Sequence, residues 1–244
     1  ATYTVPATPQ VYITGSTRGD FEDGHANDGL EDVFLAQLDP DELTTTWVRQ
    51  FGTTAKDEAY GVATDPLGFI YVTGIIRGVF SGSANVDGDA FLARYDSTGN
   101  QLWLKEFGTP LLDEGRGVAT DRDGNVYVGG QTKGDFAGPG TSKGGLDAFV
   151  IKFNKGGVEE WRIQIGGGAD DWVTGVATGR RPNGVPDVYV VGYTTSEHLD
   201  GWDSLGGVDA FIMAFEANGQ GLRRWTKRIG TVADDQAIGV ASDG

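Results

Sequence analysis

The sequence predicts an all-β chain, a β-propeller of four-stranded antiparallel blades. Three observations carry this: a fourfold internal repeat, strand-like segments inside every copy, and the lack of any amphipathic helical stretch of ten or more residues. Repeat units of about 50–60 residues holding four strands suit propeller blades, whereas solenoid coils use shorter units.

The repeat shows first in the tryptophans. Trp47, Trp103, Trp161 and Trp225 open WVRQFG, WLKEFG, WRIQIG and WTKRIG. Phe or Ile follows four positions on, and Gly five positions on. Ten positions after each Trp stands an aspartate: Asp57, Asp113, Asp171 and Asp235. Four positions later comes a small-residue segment beginning at Gly61, Gly117, Gly175 and Gly239. Upstream of each Trp lies Asp-(Ala/Val)-Phe, at Asp32, Asp89, Asp147 and Asp209, and before that an aromatic segment: VYITG, IYVTG, VYVGG or VYVVG. Repeat units therefore run over about 11–69, 70–125, 126–187 and 188–244, within one domain over 1–244.

Each segment justifies itself as a strand. GVATD is small and apolar, which suits an innermost strand crowded against its neighbours. VYVTG is β-branched and aromatic. In the DAF segments, Phe149, Ile151 and Phe153 form a wholly apolar face and the intervening positions are half apolar, as a sheet covered on both sides requires. Turn chemistry separates the strands at 96–100, 123–125 and 218–219. The chain ends in Gly-Val-Ala-Ser-Asp-Gly and opens with Val11-Tyr12-Ile13, the strand that normally follows. Pairing of the two termini would complete one blade and close a ring of four with no free edge. The competing expectation is a piece of a larger propeller.

Composition narrows the function. Lys and Arg total 19 against 35 Asp and Glu, for a formal net charge of −16. Such a surface repels phosphate backbones and anionic lipids, so nucleic acid is excluded as a partner, and cations or basic partners are favoured. No apolar run is long enough for a membrane helix, so membrane insertion is not expected. The absence of Cys removes disulfides, thiolate zinc sites and thiol nucleophiles together.

The unit N-x-L-W-x-x-x-F-G-T…D-E…G-V-A-T-D-x-x-G-N-V-Y-V-T-G…G-x-D-A-F-x-A-x-Y-D resembles the bacterial beta-propeller repeat called SBBP. Residues 85–130 carry it almost unbroken, and degenerate copies cover about 11–244. The resemblance implies a propeller in an exported or envelope-associated bacterial protein, and it brings no catalytic set. Copy three departs from it with Gly179, where the others have Asp65, Asp121 and Asp243, and with an insertion over 180–186.

The repeated tryptophans read as filling between blades. The DAF aspartates read as turn caps before a strand. Asp57, Asp113, Asp171 and Asp235 precede the innermost strand, so they read either as caps of their own turns or as carboxylates converging on a central channel. In the second case they would bind a hard divalent cation, Ca²⁺ before others. Asp121 to Asn125 resembles the start of a calcium loop but lacks the distal glutamate, and reads as a hairpin turn.

Positions that break the repeat are the better ligand candidates, since the fold already explains the repeated ones. Copy four carries Glu197, His198, Asp200, Trp202 and Asp203 in place of the usual T-x-G-x-F; copy one carries His25 in an acidic loop. Trp172 stands where Glu58, Glu114 and Gln236 stand in the other copies. An aromatic beside acids suits a protein or glycan, and two histidines with carboxylates suit a transition metal. The first expectation is thus a non-catalytic binding or scaffold module. The alternative is a polysaccharide hydrolase or lyase using loop carboxylates, although no G-x-S-x-G, HExxH or phosphate loop is present.

Overall fold

The computed structural model describes residues 9–21, 27, 29–42, 44–79, 84–181, 183–199 and 201–242, and all regular structure among them is β. The first sheet contains β1 (Val11–Thr17), β2 (Asp32–Leu38) and β3 (Thr45–Phe51). The second contains β4 (Glu58–Thr64), β5 (Ile70–Val79), β6 (Ala84–Tyr95) and β7 (Gln101–Phe107). The third contains β8 (Asp113–Thr120), β9 (Val126–Thr132), β10 (Asp147–Phe153) and β11 (Glu159–Ile165). The fourth opens with β12 (Asp171–Arg180) and β13 (Pro186–Thr194). A ribbon of β14 (His198–Leu199) and β15 (Trp202–Asp203) interrupts it before β16 (Asp209–Glu216) and β17 (Arg223–Ile229) complete it.

Within a full sheet the order is the small-residue strand, the aromatic strand, the DAF strand and the tryptophan strand, each antiparallel to the next. A bulge recurs opposite the residue before each Trp, at Gln37/Leu38, Arg94/Tyr95, Lys152/Phe153 and Ala214/Phe215. Such bulges sharpen the twist of the outer hairpin. The DAF strands are the most deeply buried, and every residue of β10 is covered.

The chain divides into two compact units, Ala1–Gly115 and Arg116–Gly244, the division falling within β8. The core of the first includes Val33, Leu35, Ile70, Val72, Phe91 and Tyr95. That of the second includes Tyr127, Val150, Trp161, Val190, Phe211 and Phe215.

Two features bear on the expected closure. Apart from the two-stranded ribbon the sheets are runs of three or four strands, and among the described residues an isolated parallel bridge of Glu31 with Lys56 is the pairing found outside them. The last small-residue segment, around Gly239, forms no strand. It runs beside β12 instead: Thr174 Oγ1 donates to Ala237 O at 2.6 Å, and a Cβ on Gly175 would stand 3.2 Å from the Gly239 Cα. β12 lies beside β8 in the same way, with Thr178 Oγ1 on Thr120 O at 2.6 Å. The segment therefore lies beside β12 as β12 lies beside β8, without a ladder among the described residues.

One mating contact repeats inside each unit. In the first, Trp47 lies 6.0 Å from the Tyr12 ring and under Gly99 of the following hairpin, whose φ of 79° lets the backbone come close. Arg49 donates from Nε to Gly99 O at 2.8 Å and from a terminal nitrogen to Thr98 O at 3.1 Å. Phe51 packs edge-on against Phe91 at 5.6 Å. In the second unit, Trp161 lies 6.0 Å from Tyr127 and under Gly221, φ 68°. Trp47 and Trp161 are thus packing elements between sheets, as the repeat implies.

The glycine five positions after each Trp has an equally definite cause. A Cβ on Gly108 would stand 2.6 Å from Asp113 Oδ2 and 2.9 Å from Asp89 Oδ1. A Cβ on Gly166 would overlap Asp147 Oδ1, and Asp147 is pinned by Lys143 N and Gln164 Nε2 at 2.8 and 2.7 Å. Gly166→Ala is therefore expected to destabilise by about 1–3 kcal/mol. Gly168→Ala, with no atom within 4 Å of the new carbon, is expected to be nearly neutral. Urea melts of the two variants test the difference.

Candidate functional site

The aspartates expected to converge on a metal are engaged in their own turns. Asp57 Oδ2 accepts Thr53 N at 2.5 Å, and its Oδ1 accepts Arg77 N at 2.7 Å. Asp113 Oδ2 accepts Thr109 N at 2.6 Å and Thr109 Oγ1 at 2.9 Å. Asp171 Oδ2 accepts Gly167 N at 2.7 Å and Ser196 Oγ at 3.1 Å, while its Oδ1 accepts the Thr194 hydroxyl. Asp235 Oδ2 accepts Thr231 N at 2.6 Å and Thr231 Oγ1 at 2.9 Å. Each thus caps the backbone N–H four residues before it. Among the described residues, no three His, Asp or Glu side chains gather into a group able to hold a metal.

The DAF aspartates cap in the same i−4 manner: Lys143 N donates to Asp147 at 2.8 Å and Leu205 N to Asp209 at 2.9 Å. Paired across the invariant glycine, the two sets place carboxylates close together: Asp32 with Asp57, Asp89 with Asp113, Asp147 with Asp171, Asp209 with Asp235. Asp121 is likewise saturated, accepting Asp123 N and Asn125 N on Oδ1 and Asn125 Nδ2 and Tyr127 Oη on Oδ2, so residues 121–125 form a hairpin turn.

The ligand candidates fall into three places. His25 and Asp200 lie outside the described residues. Trp172 is half-buried at the start of β12, stacked on Tyr193 at 4.7 Å. Glu197, His198, Trp202 and Asp203 share the β14–β15 ribbon, a hairpin turning at Gly201 with φ 83°. His198 Nδ1 lies 2.7 Å from Asp203 Oδ1, with both side chains in solvent. Trp202 is 49% exposed, whereas Leu199 on the same ribbon is fully buried and roots it in the core. Ribbon, Tyr193 and Trp172 all belong to one end of the fourth sheet, since β13 runs from Tyr193 into the ribbon.

What holds the ribbon is a residue that motif reasoning passes over. Arg228 is buried on β17, where it donates to Trp202 O at 2.9 Å, to Ser196 O at 3.3 Å and to Asp209 Oδ2 at 2.7 Å. Copies one and three show the same arrangement three positions after Trp. Gln50 bonds Gly19 O, Phe21 N and Asp32; Gln164 bonds Gly134 O, Phe136 N and Asp147. This position ties the loop before the DAF strand to the DAF aspartate. Its sequence signal is a polar residue, Gln50, Glu106, Gln164 or Arg228, inside an otherwise alternating strand.

Comparison with known proteins bears on the repeats. The beta-propeller repeat (SBBP) profile matches two segments of the chain, residues 46–76 and 102–137. The chain is 29% identical over 195 residues to the regulatory protein FlaEY of Caulobacter vibrioides, a match covering 72% of this chain and 20% of that protein. The chain thus spans about one fifth of the length of the curated relative it matches.

Two outcomes follow. Burial pushes the Asp171 carboxyl up to about 6, and burial also raises those of Asp57 and Asp147. An acid whose folded pKa is raised lends stability that is complete below its unfolded value, about 3.9, and is lost as pH rises through the folded one. For Asp171 this is on the order of 2–3 kcal/mol between about pH 4 and 6. The Arg18 guanidinium beside Glu31 and backbone N–H groups at Asp39 lower those carboxyls, so their opposing loss begins only at more acid pH. Stability is therefore expected to rise from pH 7.5 to pH 5, and Asp171→Asn to flatten that slope, in urea melts at each pH. Separately, Arg228→Ala strands a buried carboxylate and is expected to cost about 3–5 kcal/mol. Arg228→Gln, which keeps a donor as Gln50 and Gln164 do, is expected to cost clearly less by the same measurement.

Proposed function

We propose that the chain is a non-catalytic binding or scaffold module that recognises a protein through the ribbon end of the fourth sheet. The observation that carries this is Trp202. It is a half-exposed aromatic on a hairpin rooted by buried Leu199 and Arg228, with His198 and Asp203 beside it. Aromatics on a preorganised frame lose little conformational freedom on binding, and Trp is enriched at interface hot spots. Repeat proteins commonly hold such variable loops on a constant scaffold. A regulatory role for the FlaEY relative supports a protein partner over a glycan. An exported or envelope setting is proposed on the resemblance of the repeat.

The experiment compares immobilised wild-type chain with Trp202→Ala, both checked for equal melting temperature, against soluble and envelope fractions of the source cells. A protein retained by wild type and reduced about thirtyfold or more on the variant is the expected result. A glycan-array signal in its place would replace the partner class. Reproducible polysaccharide turnover, lost on Asp203→Asn, would overturn the non-catalytic reading.

Calcium stabilisation is a separable part of the proposal, supported by the net charge of −16. Its expected signature is a higher melting temperature in Ca²⁺ than in NaCl of matched ionic strength, reversed by EDTA. Coincident curves would remove it.

A further inference from the structure

A hairpin leads from each DAF strand into the tryptophan strand, and these hairpins are not all closed alike. In the second sheet Asp96 N donates to Asn100 O at 3.0 Å, while Asp96 Oδ1 accepts Thr98 N and Asn100 N at 2.9 and 3.0 Å. In the third, Asn154 N donates to Val158 O at 2.9 Å, while Asn154 Oδ1 accepts Gly156 N and Val158 N at 2.9 and 3.1 Å. A short Asp or Asn side chain thus holds each turn from inside. In the fourth sheet the closing bond runs from Glu216 N to Leu222 O at 2.9 Å, spanning six positions where those two span four. A glutamate stands in the capping place, and Asn218 and Gly219 fall inside the lengthened turn.

The extra length leaves an Asn-Gly pair unheld. Asn218 and Gly219 are exposed, and among the described residues neither the Asn218 side chain nor the Gly219 N–H takes part in a hydrogen bond. The other Asn-Gly pair of the chain, Asn183-Gly184, is also exposed but is held twice. Gly184 N donates to Arg181 O at 2.8 Å, and Asn183 Oδ1 accepts Val185 N at 3.2 Å.

We propose that Asn218 is a site of spontaneous modification, deamidating through a cyclic imide to aspartate and isoaspartate, and that the isoaspartyl form loosens the seat of the fourth sheet on the third. The Gly219 main-chain nitrogen, once base has taken its proton, attacks Cγ of Asn218. The new N–Cγ bond replaces the Cγ–Nδ2 bond, and ammonia leaves with a proton from water. Water then opens the imide. Attack at Cγ restores the normal backbone and leaves an aspartate; attack at the main-chain carbonyl leaves isoaspartate, whose backbone runs through Cβ and Cγ. Glycine in second place sets no side chain against the first attack.

The site is coupled to packing. Gly221, with φ 68°, rests on Trp161, and a Cβ there would stand 2.7 Å from the indole. Trp161 is 6% exposed and belongs to the core of the second unit. Isoaspartate adds one carbon to the main chain three positions before that glycine. The turn is anchored at both ends, by the Glu216–Leu222 bond and by Ala217 N on Pro186 O at 3.2 Å, so the surplus is taken up between them and lifts Gly221 from the indole. β16 runs from the ribbon toward this turn, which places the site at the end of the fourth sheet away from Trp202.

Peptide mapping by mass spectrometry, during incubation of the folded chain at mildly alkaline pH, tests this. Conversion at Asn218 is expected to run at least about tenfold faster than at Asn183, whose two hydrogen bonds must first break. In urea the two rates are expected to converge, because the difference lies in the fold. A protein isoaspartyl methyltransferase is expected to label the peptide that holds position 218, and to leave that peptide unlabelled in Asn218→Gln. The isoaspartyl form, separated by ion exchange, is expected to unfold at lower urea than fresh protein and to show stronger quenching of tryptophan fluorescence by acrylamide. Asn218→Asp carries the same new charge on a normal backbone and is expected to match fresh wild type in both. Conversion at 218 no faster than at 183, or a difference that persists in urea, would overturn the site. An isoaspartyl form that behaves as Asn218→Asp does would overturn its coupling to Trp161.

Discussion

The sheets depend on one contact, an aspartate carboxylate laid against a glycine backbone at the end of each tryptophan strand. The glycine must be glycine because an oxygen of the DAF aspartate occupies the space of its Cβ. The aspartate must be there because its other oxygen receives the backbone N–H groups of the loop that precedes it. A second aspartate, ten positions after Trp, closes the following turn by the same i−4 bond and comes against the first. The result is an acid pair at the end of each tryptophan strand, whose cost shows in the raised pKa values of Asp57, Asp147 and Asp171. Backbone donors, which carry no net charge, offset only part of it.

Around that contact the chain separates what is constant from what varies. The residue three positions after Trp reaches across to the loop and back to the DAF aspartate. Its identity changes with the loop it holds: glutamine for the T-x-G-x-F loops, arginine for the longer ribbon with its two carbonyl groups to bind. A buried guanidinium makes sense only where a carboxylate and several carbonyls face it together, which is the situation at Asp209.

Much of this was legible in the sequence, for a physical reason. A repeat shows the same solution four times, so the register of Trp, Asp, Gly and DAF exposed the strands, their order, and Trp47 and Trp161 as filling. The hairpin at Asp121 was equally plain from turn chemistry. What stayed hidden was direction. Asp57 and its counterparts point into their own turns, and spacing alone could not separate that from convergence on an axis, because both keep the fourfold register. Arg228 was hidden for the opposite reason: as one polar residue on an exposed-looking strand it resembles an ordinary surface charge, and only its bonds to Trp202 O and Ser196 O reveal its task. The segment at Gly239 carries the composition of an innermost strand, but composition does not supply the neighbour a ladder needs.

The hairpin glycine resting on the preceding tryptophan has a consequence for how such chains change length. Within each unit the surface a sheet offers forward matches the surface the next sheet offers back, and neither depends on how many sheets stand on either side. A recombination event that copies or deletes one repeat in register preserves junctions of the Trp47–Gly99 and Trp161–Gly221 kind. Descent in this architecture can therefore proceed by whole units, whereas an insertion of part of a unit would bring a side chain onto an indole and be lost.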